Sequence, residues 1–237
     1  NLAAQAGVRY SIKNPKEYFD SNVIGFFNII ELSKIFKIKT ILYASSSSVY
    51  GEQSKFPIKE TQKLIPKNIY SLSKKFNEEL SDLYNKYYGI KLIGLRFFTV
   101  YGEWGRPDML MLKYMIAKKN NINFILNNDG NHYRDFTYIK DVNKILLKLI
   151  FSKIKTKHEV VNICSNNPQK VKTILEKIND LYGKPKIKKQ NRLLIEVLKT
   201  HGSNYKIKKM LKFNNFTKID DGILNLVNWA KKYLNKF

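Results

Sequence analysis

An α/β fold on a mainly parallel sheet is what this sequence predicts, and three observations predict it. The run ILYASSS from Ile41 is short, apolar and partly β-branched, and it ends in small hydroxyl residues. A helical period from Tyr70 to Tyr88 follows it, and a second apolar run, KLIGLRFFTVYG from Lys91 to Gly102, completes a strand, helix, strand unit. Downstream, helix and strand patterns go on alternating, as they do where helices cover a parallel sheet.

Each element has its own reason. Asn14-Pro15 is a cap and first-turn pair for a helix to about Phe36. That helix carries Phe19, Val23, Ile24, Phe26, Phe27, Ile29, Ile30, Leu32 and Ile35, more than one face can hold, so a second domain or subunit is expected on its other side. In the helix from Tyr70, Phe76, Leu80, Leu83, Tyr84 and Tyr87 share a face and Gly89 supplies the stop. Asp141 is placed to cap a helix to Ile150, and EVVNI, Glu159 to Ile163, reads as a strand. Pro168 is expected to open a helix ending at Gly183, and Asp220 to Tyr233 forms a last amphipathic helix.

Composition bounds the function. With 43% hydrophobic and 13% aromatic residues over 237 positions the chain is globular rather than disordered. A single cysteine, Cys164, excludes an intrachain disulfide and suits a reducing compartment, so a cytoplasmic protein is expected. No apolar run approaches the roughly 18 residues of a membrane span, and the first residues lack a secretory leader pattern, so no membrane partner is expected. The net charge of +24, from 43 Lys and Arg against 19 Asp and Glu, invites a nucleic-acid reading. Yet Lys13, Lys37, Lys113, Lys172 and Lys231 belong to no common stripe, so no nucleic-acid partner is expected and KPKIKK, Lys184 to Lys189, reads as a solvated loop. An anionic small molecule would be drawn by the same field. No metal site is singled out.

The chemistry centres on Tyr70 and Lys74, which a helix places on one face one turn apart. An ammonium there would lower the phenol's pKa and make it a base near neutral pH. The same spacing recurs at Tyr87/Lys91, Tyr114/Lys118, Tyr182/Lys186 and Tyr205/Lys209, where coincidence in a lysine-rich chain suffices. Tyr70 differs because it opens the helix after a strand whose carboxyl end carries Ser45 to Ser48, and ligands of open α/β sheets bind at such ends.

Seven blocks, in order, carry a wider likeness: LAAQAGVRYS from Leu2, DSNVIGFFNIIE from Asp20, ASSSSVYG, YSLSKK, LRFFTVYG, GRPDM from Gly105, and YRDFTYIKDV from Tyr133. With them the chain resembles the extended short-chain dehydrogenase/reductase family, the NAD-dependent nucleotide-sugar epimerases and dehydratases. The resemblance implies a Rossmann-like, doubly wound sheet over residues 1–163, with a substrate-loop insertion at about 99–135, and a smaller substrate-binding subdomain over most of 164–237. It implies NAD as cofactor and a UDP-sugar as substrate. Tyr70, helped by Lys74, would take the proton of a sugar hydroxyl while Ser46 holds that oxygen; Lys74 would also grip the nicotinamide ribose. Asn22 would buttress the cofactor site, and the Ala3-Ala4 backbone would pass the adenosine side.

Members that eliminate water carry Asp-Glu after the hydroxyl residue, and decarboxylating members keep the glutamate; Ser47-Ser48 stands there instead. Oxidation and re-reduction at C4 remain, that is, 4-epimerisation. QAGVRYS and RFFTVYGEWGRPDM most resemble UDP-glucuronate 4-epimerases of capsule and cell-envelope sugar synthesis. Ser46, Ser47, Ser48 and Thr99 would hydrogen-bond the uronate carboxylate, with Arg9 and Arg106 as cationic contacts and Arg134 on the diphosphate. Each arginine could instead be a structural salt-bridge partner. The alternatives are a UDP-glucose/galactose-type 4-epimerase, another dehydratase or decarboxylase, a non-catalytic interaction module of the same fold, and a basic nucleic-acid binder. A homodimer is expected through the helices 15–36 and 70–88.

Two departures qualify the likeness. The 237 residues contain no G-x-x-G-x-x-G turn and no acid placed for the adenosine ribose, and Asn1 stands where a histidine is usual at the end of the fourth strand. By the size of βαβ units about 70 to 90 residues of the cofactor half are expected beyond this stretch, and the 237 residues alone are expected to be inactive. Leu194-Ile195-Glu196-Val197 replaces the usual Pro-Gly-Asp-Val, which leaves uridine contacts there open.

Overall fold

The structure is a computed structural model that describes residues 1–152, 158–193 and 195–234; Leu194 of the departing block lies outside them. The chain begins alongside a strand: the Asn1 amino group donates to the Leu42 carbonyl at 2.6 Å, and the Ala44 N–H donates to the Asn1 carbonyl at 3.0 Å. There follow α1 (Tyr10–Lys13), α2 (Pro15–Tyr18), a π-helical turn (Phe19–Ile24), α3 (Gly25–Ile35), β1 (Thr40–Ser46) and α4 (Ile69–Tyr88). Next come β2 (Lys91–Phe97), β3 (Thr99–Tyr101), α5 (Leu110–Lys119), β4 (Phe124–Asn127), β5 (Tyr133–Tyr138), α6 (Ile139–Phe151) and β6 (His158–Ile163). The described chain closes with β7 (Pro168–Lys170), α7 (Val171–Tyr182), β8 (Ile187–Gln190), α8 (Tyr205–Leu211) and α9 (Ile219–Tyr233).

The helix expected from Pro15 runs as α2, the π-helical turn and α3. Pro15 sets its start by its fixed φ, while the Asn14 side chain makes no capping bond. The π-helical turn brings Asn22 and Val23 inward. Phe26 and Ile30 then pack on Ile41, Tyr43 and Leu92, whereas Phe19, Ile24, Phe27, Leu32, Ile35 and Phe36 stay exposed. The surplus apolar face read from the sequence is therefore a surface of this chain.

β1, β2 and β6 form a parallel sheet in that order, with Ser46 opposite Phe97 and Phe97 opposite Ile163. α4 crosses between β1 and β2. Its start is fixed by a reciprocal cap, in which Asn68 Oδ1 accepts the Ser71 N–H and Ser71 Oγ accepts the Asn68 N–H, so Tyr70 falls in the first turn. Gly89, at φ 68°, ends it as expected. After the 3-10 turn Ser47–Tyr50 the chain needs a left-handed residue in tight quarters: Gly51 has φ 63°, and a Cβ there would lie 2.0 Å from the Ile65 carbonyl oxygen.

Four local expectations change. The run Lys91 to Gly102 is two strands, because Phe98 turns inward against Val49, Tyr50 and Cys164 and β3 leaves to pair with β5, itself antiparallel to β7. Pro168 heads the short edge strand β7, where a missing N–H is tolerated, and the helix begins at Val171. Asp141 lies inside α6 rather than capping it; Tyr138 holds the cap position, and the Asp141 carboxylate accepts from the Thr217 N–H at 2.7 Å and hydroxyl at 3.0 Å. Half of the Lys184 to Lys189 loop is strand, since β8 pairs in parallel with β4.

The sheet core joins Ile93, Leu95 and Val161 to Ile145 of α6 and Ile207 of α8. A separate core joins Met115 of α5, Phe124 of β4, Ile174 of α7 and Leu226 of α9. The spans 1–163 and 164–237 thus interleave: α5 packs with the C-terminal helices, and α8 packs on the sheet. Among the described residues no helix is long and apolar enough to cross a membrane.

Candidate active site

The carboxyl end of β1 supplies Ser45 and Ser46, both buried. Ser46 Oγ accepts the Ser48 N–H at 3.1 Å, which caps the 3-10 turn, and it lies within hydrogen-bonding reach of the Tyr70 phenol. Tyr70 is partly buried and its ring meets Tyr18 edge-on at 6.2 Å. One turn along α4, Lys74 is only 3% exposed and donates from Nζ to the Ala44 carbonyl at 2.9 Å. Among the described residues no carboxylate pairs with it. The three expected catalytic side chains are thus brought together by one helix turn and one strand end.

The electrostatics differ from expectation at one point. Burial raises the Tyr70 pKa, and what pulls it back is the bond with Ser46 and the Arg106 guanidinium. Lys74 is not one of those groups, because its ammonium is directed at a backbone carbonyl; burial drives its own pKa down to about 8. An ammonium has three N–H donors, and a single protein acceptor leaves capacity for hydroxyl groups of a ligand.

A cleft of about 920 Å³ opens beside this cluster, and its walls include Ala4, Arg9, Ser47, Ser48, Thr99, Arg106 and Arg134. Ala3 is exposed, its N–H turned to Asn1 Oδ1. Asn22 is a buried brace: Oδ1 accepts the Gln5 N–H at 2.8 Å, and Nδ2 reaches the Gln5 carbonyl and Ser73 Oγ, each at 3.0 Å. It therefore ties the segment lining the cleft to α4. Among the described residues no group of three or more His, Cys, Asp or Glu could hold a metal ion.

Each arginine already has partners. Arg106 holds Asp108 in a two-bond pair at 2.9 and 2.7 Å, Arg9 reaches Glu196, and Arg134 donates to the carbonyls of Tyr133 at 2.8 Å and Leu198 at 3.3 Å. Around Arg134 stand residues the sequence reading did not single out. Glu52 accepts from Arg192 at 3.1 Å, Lys67 at 3.3 Å and the Leu198 N–H at 3.1 Å. Glu196 accepts from Asn127 at 3.3 Å with His132 at 3.8 Å. The only sequence signal was Glu196 itself, within the block that departs from the family. Burial pulls the pKa of Arg134 down, while Glu196 and Glu52 support its charge.

Residues 1–164 match the NAD dependent epimerase/dehydratase family. The chain belongs to that family. It is 37% identical to Protein CapI of Staphylococcus aureus, over 100% of this chain and 76% of that protein. It is likewise 37% identical to UDP-glucuronate 4-epimerase of Thermodesulfobacterium geofontis, over 98% of this chain and 72% of that protein. Its fold superposes on UDP-glucuronic acid 4-epimerase from Bacillus cereus, solved with UDP-glucuronic acid and NAD, with a TM-score of 0.91 and 28% identity, covering 97% of this chain and 74% of that one. The Rossmann-like fold expected from the sequence is the fold of this epimerase family. The residues at hand fit the nicotinamide-ribose end of the family's cofactor, since a buried ammonium with spare donors and a neighbouring phenol suit ribose hydroxyls.

Proposed function

We propose that this protein is an NAD-dependent UDP-glucuronate 4-epimerase. The observation that carries the reading is the grouping of Ser46, Tyr70 and Lys74 beside a cleft whose nearby walls offer Ser47, Ser48, Thr99 and Arg106. NAD, when bound, would supply hydride-accepting and hydride-returning chemistry at C4. Tyr70 takes the proton of the sugar 4-hydroxyl as the C4–H bond breaks and the C4 carbonyl forms, and returns it when that carbonyl is reduced on its other face. Ser46 holds the reacting oxygen. Lys74 and Tyr70 would hold the nicotinamide ribose, and Arg106 offsets the negative charge that grows on the phenol. Ser47, Ser48 and Thr99 bind the uronate carboxylate through neutral hydroxyls, without an acid or base placed to drive elimination. Arg134, with Arg192 beside it, faces the diphosphate.

Two further features complete the reading. The exposed apolar residues of α3, and Leu72, Phe76 and Leu83 of α4, form the contact of a homodimer, two helices from each subunit. A reducing, cytoplasmic setting suits the lone cysteine, Cys164, which is buried. The test is to incubate the protein, extended by the glycine-rich cofactor half expected from the family, with UDP-glucuronate and NAD and to separate the products. UDP-galacturonate without carbon dioxide is expected, and a UDP-pentose would overturn the assignment of Ser48.

A further inference from the structure

We infer that the buried Glu78–Arg96 ion pair is a positioning device that locks α4 to the ends of β1 and β2 and so sets how Ser46, Tyr70 and Lys74 face one another. The inference rests on the proposed reaction for its purpose, but not for its geometry.

Glu78 follows Lys74 by one helical turn and Tyr70 by two, on the same face of α4. It is 5% exposed and Arg96 is 3% exposed. The guanidinium grips the carboxylate through Nε to Oε1 at 2.8 Å and Nη2 to Oε2 at 2.7 Å. Oε1 also accepts the hydroxyl of Ser45, the neighbour of Ser46 on β1. Arg96 Nη1 donates to the Tyr50 hydroxyl at 2.8 Å and the Glu60 carbonyl at 3.0 Å. Tyr50 in turn donates to Asn162 Oδ1 at 2.7 Å, and Asn162 Nδ2 donates to the Ile58 carbonyl at 2.9 Å. One continuous polar chain thus runs from the catalytic helix through two strands to the loop beyond Gly51.

Stability does not account for such a pair. Replacing a buried ion pair by apolar groups of like volume is often neutral or stabilising, because desolvation offsets the attraction. What apolar packing lacks is direction. A fork of charge-assisted bonds tolerates little slide or rotation of the helix, whereas Lys74 bears one bond to Ala44 and Tyr70 is steadied by Ser46 and the Tyr18 edge. The 20-residue helix is also held by the Asn22–Ser73 bond at 3.0 Å and by Tyr84 packed among Phe26, Ile30 and Ile41, but none of these contacts is a two-bond charged fork, and a misplacement of about 1 Å can cost about a hundredfold in rate.

Two variants test this: the double replacement Glu78→Leu with Arg96→Met, which leaves no charge stranded, and Ser45→Ala, which removes one bond and keeps the pair. Lys74 is followed by NMR of 13Cε-lysine in the protein without substrate, its signal assigned by its loss in Lys74→Met, alongside kcat and KM. In the folded double variant the Lys74 titration is expected to move up from about 8 toward 10.5 as water reaches a loosened seat. With it kcat should fall on the order of a hundredfold with KM within about threefold. Ser45→Ala should fall in the same direction by about tenfold. A folded double variant with an unmoved Lys74 titration and near-normal kcat overturns the inference. If the double variant does not fold, an unmoved titration and kcat in Ser45→Ala overturn it instead. Lack of turnover in the unsubstituted protein carrying the glycine-rich cofactor half would count against the proposed function, while the titration still decides the positioning role.

Discussion

Lys74 and Arg96 are both cations at 3% exposure in the same helix–sheet layer, and they are treated in opposite ways. Arg96 is fully answered: burial works against its charge, but Glu78 and Tyr50 together outweigh burial and hold its pKa above the ordinary value. Lys74 is answered by one carbonyl, so burial prevails and its pKa falls to about 8. The paired cation belongs to the fold. The unpaired one keeps spare donors beside the cleft, and in the proposed reaction the nicotinamide ribose takes them.

The largest expected effect breaks the chemistry without touching either cation. Tyr70→Phe removes the phenol oxygen beside Ser46 and little binding surface, so kcat should drop by about a hundredfold to ten-thousandfold with KM nearly unchanged. Steady-state kinetics with UDP-glucuronate check it, and a near-normal kcat would remove Tyr70 as the base.

Breaking the paired cation comes next. Glu78→Ala strands the Arg96 guanidinium, and leaving one partner of a buried pair costs about 3 to 5 kcal/mol, to be read from urea unfolding. A loss below about 1 kcal/mol would mean that Tyr50 and the Glu60 carbonyl suffice for Arg96, and the contrast with Lys74 would shrink.

Lys74→Met should do the reverse at neutral pH and stabilise the protein. The folded pKa, about 8, lies below the ordinary 10.5, so the folded protein binds fewer protons than the unfolded chain between those values. The ammonium penalty is therefore fully present below pH 8 and fades as pH rises toward 10.5. Its upper bound is about 3 kcal/mol. Thermal unfolding of both proteins from pH 7 to 10 should show the advantage of Lys74→Met shrinking with pH. An advantage that grew with pH would mean that Lys74 has an anionic partner in solution.

Much of this was legible in the sequence, for physical reasons. Apolar periods fixed β1, α4 and β6, and the strand-end serines with Tyr70 and Lys74 located the cluster, because local spacing on a helix is a geometric fact. Glu78 was invisible as a partner of Arg96: one lies on α4 and the other on β2, and only the register that places Ser45 opposite Arg96 brings them together. The Glu52, Arg192 and Glu196 group around Arg134 was hidden likewise, since its members are more than a hundred residues apart in part. The break at Phe98 escaped notice because a buried bend between two strands is as apolar as the strands.

The smallest effect sharpens the contrast by repeating the motif in the wrong place. Tyr114 and Lys118 have the spacing of Tyr70 and Lys74, but Tyr114 sits on α5 in the helical core at 1% exposure, its hydroxyl donating to Asn179 Oδ1 at 2.5 Å. Among the described residues its hydroxyl pairs with Asn179 and not with a strand-end serine. Tyr114→Phe removes one neutral hydrogen bond and leaves the ring packed against Phe124, so stability should fall by only about 1 kcal/mol. The chemical step should not respond, because Tyr114 lines a separate hollow with Lys172 and Asn179, whereas Ser47 and Ser48 line the cleft. Steady-state kinetics and urea unfolding of Tyr114→Phe, run beside Tyr70→Phe, separate the two roles. A large fall in kcat with intact stability would show that the spacing alone carries function, and that the strand end does not choose between the two tyrosines.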